Sequence, residues 1–566
     1  MTVVNAPGRA LSYRLPSRIM TLSRMGSFHQ NRLSFMRTLL RRVNDEEWVF
    51  EKPRFDINAN GVGIAVYSAT GPHNKYSLVA FSNDLPPEKR SDRVIATEWD
   101  ATFTLFDGEP SDQDIERLNK NIPLQESGRL TERELSLSRA NRSVRLWDHV
   151  VSSLSRGVQP DIELVNKVGY LMRTTAVYGS GKFGLADREL ISERSEFRGP
   201  FQVEMLTVYL IRIFVMDLVE YLAKMKSPKT AVKIDSDLRR RFGIGNSTGL
   251  GMAPFLMNHP MLINNWIMAK EEALFRVRNV EFPTKVEIKI FKDLLPRVLQ
   301  STNNWHTSHS EQLKKLANLK NDLHVLGKHI EEIDFSDSYP WNKLHLWSEK
   351  NLSLEGQEQL VSMIMEPYPD LVDGLSHCMD ADEAKGFRIN GNMSVSYLKA
   401  LCEEFYGWAL EIDWSQKGAN ARAWYVSQEK LEPRLGDRFS EDIEDYEQPL
   451  QPGRDVWRMY NDLQKFDDER TIASFLLKKP EHRHTARRCQ LISKFQFGEI
   501  RDNTIDSDMM PIDLLRAKLS FFGATHFDPR SDRWLRINMF RGAPFPNELQ
   551  EVYRDDWAYP MAEDSE

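Results

Sequence analysis

The sequence predicts an α+β fold, predominantly helical, with a small N-terminal antiparallel sheet, a large helical core domain and a mixed C-terminal region. Three observations predict it. Short β-rich runs separated by turn residues crowd into 48–106. From 112 to 333, apolar residues then recur at three- and four-residue steps. Beyond about Phe335 the pattern mixes and grows richer in Pro, Trp and charge. With 566 residues the chain can form several packed units, and 41% hydrophobic with 28% charged residues is a globular balance. The expected divisions are 1–43, 44–110, 111–335 and 336–566.

Residues 1–43 hold Arg9, Arg14, Arg18, Arg24, Arg32, Arg37, Arg41 and Arg42 and no acidic residue. Organelle transit peptides share that bias, which makes an organelle matrix the alternative location. Against it, Met20, Leu22, Met25, Leu33, Met36, Leu39, Leu40 and Val43 keep a helical spacing that runs on into the folded region. The expectation is therefore a basic arm and amphipathic helix of a cytoplasmic protein. Within 44–110 the runs Trp48–Phe50, Val62–Tyr67, Tyr76–Phe81, Val94–Ala96 and Ala101–Phe106 predict an antiparallel meander, with the N-terminal helix as its lid.

Helices are expected near 112–121, 131–156, 161–176, 201–225, 254–278, 284–300 and 308–333. The most apolar of these, 201–225, carries Glu204, Arg212, Asp217 and Glu220, each costly at a bilayer centre, so it reads as a buried core helix and no membrane is expected as partner. Further helices are expected near 353–366, 393–411, 452–465 and 509–519, and a strand over 533–540.

A net charge of −7 gives no overall case for nucleic acid. Only the runs Arg37 to Arg42, Arg239 to Arg241 and Arg483 to Arg488 offer one, if they combine on one face. Three cysteines, Cys378, Cys402 and Cys489, support neither a disulfide framework nor a zinc ribbon. His306, His309, His324 and His329 lack metal-ligand spacing, and no H-E-x-x-H occurs, so no metal is assigned. The sequence does not identify a cofactor.

Two glycine-rich segments carry the chemistry. The first, Tyr178-Gly-Ser-Gly-Lys182-Phe-Gly184, follows an expected helix and supplies backbone N–H groups, the Lys182 charge and hydroxyls from Thr174 and Ser180, with Arg173 close by. Ala176 and Phe183 exclude a Walker A loop. The second, Gly243-Ile-Gly245-Asn-Ser-Thr-Gly249-Leu-Gly251, follows a charged stretch where a dinucleotide fingerprint needs a buried strand. Its Asn246, Ser247 and Thr248 are expected near the N-terminus of a helix opened by Pro254, a setting that favours anions. Each segment also has a bland explanation, a helix C-cap for the first and a close helix crossing for the second. A third cluster, around Arg422 and Tyr425, mixes cations with aromatics.

These features predict a soluble enzyme of small-molecule metabolism that binds a carboxylate- or phosphate-bearing substrate. Tyr178, Lys182 and His259 are the catalytic candidates. Arg173, Thr174, Ser180, Asn246, Ser247, Thr248, Arg422 and Tyr425 are the binding candidates. The alternative is a non-catalytic interaction protein that uses its arginine runs.

Overall fold

A computed structural model describes residues 12–86, 99–121, 131–179, 191, 194–249, 260–303, 305, 307, 309–379, 388–415, 424–427, 433–435, 447–449, 452–501, 513, 516–517, 519–524, 527–531, 534–549, 555 and 557–559. Side chains are described for all of these except 121, 175–179, 247–249, 424–427, 433–435, 447–449, 527–531 and 534–535.

The α+β class holds, and the strands at the N-terminus do form a meander. They are β1 (Val49–Ile57), β2 (Gly63–Thr70), β3 (Lys75–Ser82) and β4 (Ala101–Asp107). Their sheet is not small. It continues through β5 (Glu134–Arg142), β6 (Tyr170–Gly179) and β7 (Gly243–Gly249) to two strands from the far end of the chain, β12 (Trp534–Met539) and β11 (Phe527–Ser531). The order is β1-β2-β3-β4-β5-β6-β7-β12-β11, nine strands in all. The intervening β8 (Trp424–Ser427), β9 (Pro433–Leu435) and β10 (Glu447–Pro449) form a separate three-stranded sheet. Edge strand β1 contains Pro53, which cannot donate to a ladder, and the register shifts between Glu51 and Arg54 to accommodate it.

One helix organises the sheet. After α1 (Phe35–Asp45), α2 (Asp112–Asn121), α3 (Trp147–Ser155) and α4 (Ile162–Val168) comes α5 (Gln202–Lys226), buried over most of its surface. Phe214 of α5 meets Tyr67 of β2 and Phe103 of β4, and Thr207 bonds Ser136 of β5. Tyr209 touches both Phe50 of β1 and Phe540, just past β12, so the sheet curls around the helix. The opposite face of β2 to β4 is covered by α2 through Ile115 and Leu118. The expected lid, α1, packs chiefly on α5 and on Leu519–Gly523. No helix among the described residues is long and apolar enough to cross a membrane.

The remaining helices are α6 (Ser236–Arg240), α7 (Pro260–Arg278), α8 (Lys285–Asn303), α9 (Ser310–Glu332), α10 (Pro340–Asn351) and α11 (Leu354–Met365). A second, smaller core is built by α12 (Val395–Leu410), α13 (Pro452–Leu463), α14 (Ile472–Lys478) and α15 (Arg483–Ile492). In the main body, Arg14, Arg24, Arg32, Arg37 and Arg42 are interior groups, whereas Arg18 is exposed. Arg14, Arg24 and Lys270 all converge on buried Glu358 of α11, and Arg14 also holds Glu271. Arg516 and His29 hold Glu355, and Arg37 bridges Glu366 and Asp555. Burial of so many charges is tolerable only because each carboxylate meets a cation and hydrogen-bond donors.

Candidate anion-binding face at the parallel strand pair

The segments expected as helices over 131–156 and 161–176 are each half strand. In the first, Leu135, Leu137 and Arg139 alternate with Ser136 and Ser138, a period of two. In the second, α4 ends at Gly169, whose left-handed φ of 71° caps it, and β6 begins at once. The second glycine-rich segment is also a strand, β7, held between β6 and β12. Two of its glycines answer packing needs. A Cβ at Gly245 would lie 2.8 Å from the Tyr170 ring, and one at Gly243 would lie 2.5 Å from the Met539 carbonyl oxygen.

Strands β6 and β7 pair in parallel, with α5 in the connection between them; the other described strand pairs are antiparallel. Arg173 pairs with Gly245 and Thr174 with Asn246. The first glycine-rich segment therefore continues from the end of β6, and the second forms β7 itself, whose end points the same way. In open α/β sheets that end of a parallel pair is where ligands bind.

The register divides the predicted residues between two faces. Thr174 and Asn246 share the face that α5 covers, where the Asn246 side-chain N–H donates to Thr174 Oγ1 at 3.1 Å. Arg173 lies on the other face. There the register aligns it with Asn141 of β5 and, across Gly245, with Asn538 of β12. Arg139 and Arg536 join it on that face, Arg139 level with Ala176 and Arg536 level with Ser247, both closer to the strand ends than Arg173. The three arginines are 9%, 2% and 4% exposed for Arg139, Arg173 and Arg536. Rings line the same ground: Arg139 lies 5.2 Å over Trp99 and Arg536 5.6 Å over Tyr170, whose hydroxyl accepts from Arg145. Arg541, beside Gly169 and Asn166 at the start of β6 and β7 rather than their ends, is pulled down to about 10 chiefly by burial, with Arg241 adding to it.

Lys182, Ser180, His259 and Arg422 lie outside the described residues. Tyr178, Ser247, Thr248 and Tyr425 have strand backbone only; Tyr178 pairs with Leu137, Ser247 with Arg536 and Thr248 with Leu535. Tyr425 belongs to the three-stranded sheet, which no described strand pairing joins to this face. Arg139 and Arg536 were missed because β5 was read as helix and β12 had no partner. The Leu-Ser alternation was the available signal for the first.

Several arginines of the three runs are engaged inside the protein. Arg37 is fully buried, Arg42 donates to the Glu196 carbonyl, Arg240 to that of Gly542, and Arg488 pairs with Glu499. Among the described residues, Asp462, Glu481 and His482 bring three metal-type ligands together, but the Lys479 ammonium already stands 3.2 Å from Asp462 and 3.6 Å from Glu481. His329 stacks on Trp347 at 3.8 Å. No family model, curated protein or solved structure matches this chain.

Proposed function

We propose that the chain is an enzyme of small-molecule metabolism that binds a carboxylate- or phosphate-bearing substrate at the ends of β6 and β7. The observation that carries this reading is the parallel pairing, which sets the end of β6, where the first glycine-rich segment begins, beside the end of β7, which the second forms, with Arg139, Arg173 and Arg536 on one face. Aligned guanidiniums suit bidentate recognition of carboxylate or phosphate. In this reading Arg173 and Lys182 neutralise the substrate, backbone N–H groups of the stretches that follow β6 and β7 cradle it, and Tyr178 or His259 moves a proton. Thr174 and Asn246, bonded to each other, hold the strands together. A cytoplasmic setting fits the free thiols of Cys378, Cys402 and Cys489.

The test is thermal stabilisation by a panel of phosphorylated metabolites and dicarboxylates. A ligand present at about one hundred times its Kd stabilises wild type by about 2.7 kcal/mol. Arg173→Ala and Lys182→Ala are each expected to reduce that shift. A panel that stabilises wild type and both variants equally removes the site.

A further inference from the structure

A second concavity lies where β1 meets α5, α6 and the turn after β12, towards the start of β7 rather than its end. Its volume is about 340 Å3, within the range of small-molecule sites. Trp48, Phe50 and Phe545 supply aromatic walls, and Glu51, Lys52, Asp217 and Arg239 supply charge.

The charges are unevenly satisfied. Tyr67 donates its hydroxyl to Asp217 Oδ2 at 2.8 Å, and Lys52 Nζ reaches the same oxygen at 2.8 Å. Arg239 has no comparable bond. Its Nη2 stands 3.8 Å from Asp217 Oδ1, beyond hydrogen-bond range, and its Nε is buried without a partner. Its guanidinium lies 4.5 Å over the Phe545 ring, and the side chain keeps 25% exposure. Arg212 lies 3.9 Å over the same ring. That residue is bonded only to the carbonyl oxygens of Phe242 and Arg240, and its Nη1 has no partner. Burial pulls Arg212 down to about 9, because no carboxylate stands at ion-pair distance among the described residues. Lys52 and Arg239 line the pocket, with Arg212 behind the Phe545 ring; of the two lining carboxylates, Glu51 and Asp217, only Asp217 stands at ion-pair distance from these cations among the described residues. Glu548, farther along the turn, is engaged by the Phe545 backbone N–H.

We propose that this pocket binds a small organic carboxylate with a flat apolar body, its carboxylate in the Arg239 fork and its body against Trp48, Phe50 and Phe545. The fork presents paired donors to a planar anion, and the rings gain from burying apolar surface that a bare phosphate would leave uncovered. Asp217, fixed by Tyr67 and Lys52, holds off a second negative group and so selects monocarboxylates over dicarboxylates.

Full-length protein is titrated with phenylacetate, followed by saturation-transfer NMR and thermal shift, with benzyl alcohol, succinate and inorganic phosphate as controls. Phenylacetate is expected to bind wild type at least about tenfold more tightly than any control, and Arg239→Ala to weaken it about tenfold to a hundredfold. Arg239→Lys keeps the charge but loses the fork, so it is expected to weaken phenylacetate as well; it carries the test should the alanine variant fail to fold. Arg173→Ala is expected to leave phenylacetate binding unchanged, which separates this pocket from the strand-end face. No binding at millimolar phenylacetate, equal binding by both Arg239 variants, or an equal response to phosphate overturns the proposal.

Discussion

Glu358 is fully buried, and Arg14 at 2.6 Å, Arg24 at 2.7 Å and Lys270 at 2.8 Å converge on it. Glu358→Gln keeps the shape and removes the charge. Glu271, held by Arg14, is then the remaining carboxylate in the cluster, facing three cations. Removing one partner of a buried ion pair costs about 3–5 kcal/mol, against a total stability of about 5–15 kcal/mol. At about 2 cal/mol/K per residue, a chain this long unfolds with an entropy on the order of 1 kcal/mol/K, so the Tm falls by about 3–5 °C. Scanning calorimetry reads that shift, and hydrogen exchange reads faster opening of 14–45, the segment the cluster anchors. Adding Lys270→Met removes a surplus cation, so the double variant should be more stable than Glu358→Gln alone, with a coupling of about 1–3 kcal/mol. A Tm within about 1 °C of wild type, with exchange of 14–45 unchanged, would refute the argument that this network pins the arm.

Acid should release two other buried clusters that hold the arm. Burial raises the Glu355 and Asp555 carboxyls, but Arg516 and His29 around the first, and Arg37, Arg41 and Arg32 around the second, overcome it and hold each at about 2. Because the folded values lie below the unfolded ones, the stability is present above about pH 4.5 and drains as pH falls towards 2. Equal urea midpoints at pH 6 and pH 3 would exclude this. Asp455 behaves oppositely: burial outweighs Arg458, Arg488 and Arg454 and lifts it to about 7. Its contribution is full below its unfolded value and is lost as pH rises through 7. The advantage of Asp455→Asn should therefore grow between about pH 4 and 7, then level off, when exchange is followed in 395–492. Gly245→Ala places a Cβ 2.8 Å from the Tyr170 ring and should cost about 1–3 kcal/mol. Combined with Tyr170→Ala the two losses should be less than additive, and strict additivity in a urea titration counts against the contact.

The meander was legible because β2 to β4 and the start of β1 are short runs rich in β-branched and aromatic residues separated by turn residues, signals local to each strand. The inner half of the sheet was not. The apolar run of α4 continues without a break in spacing into Leu171 and Met172, so it read as one helix; Gly169 was the stop, and Thr174, Thr175 and Val177 were the β-branched sign of a strand. In β7, Gly-Ile-Gly-Asn-Ser-Thr-Gly has almost no intrinsic preference for extended structure, and its ladders to β6 and β12 override that. The arm showed its arginines but not their use, because Arg14 finds Glu358 344 positions away. Arg239 was visible as part of a basic run, while its pocket is assembled from five stretches that are separate in sequence.

A guanidinium attracts a polyanion only if it stays in water, and burial therefore decides what these arginines can bind. Arg37, Arg42 and Arg488 are engaged by interior acceptors. The arginines proposed to meet an anion are Arg139, Arg173 and Arg536, aligned on the sheet, and Arg239 in the pocket. Partly buried charges are screened far less by salt than exposed ones. Phenylacetate affinity should therefore change by less than about threefold between low and moderate salt, because one carboxylate meets one sheltered fork. A ligand held by six or more exposed cations would lose about a thousandfold over a similar range. A steep dependence measured with the organic acid would move the binding site from the pocket to exposed cations elsewhere on the chain, and with it the reading of the chain as a small-molecule protein.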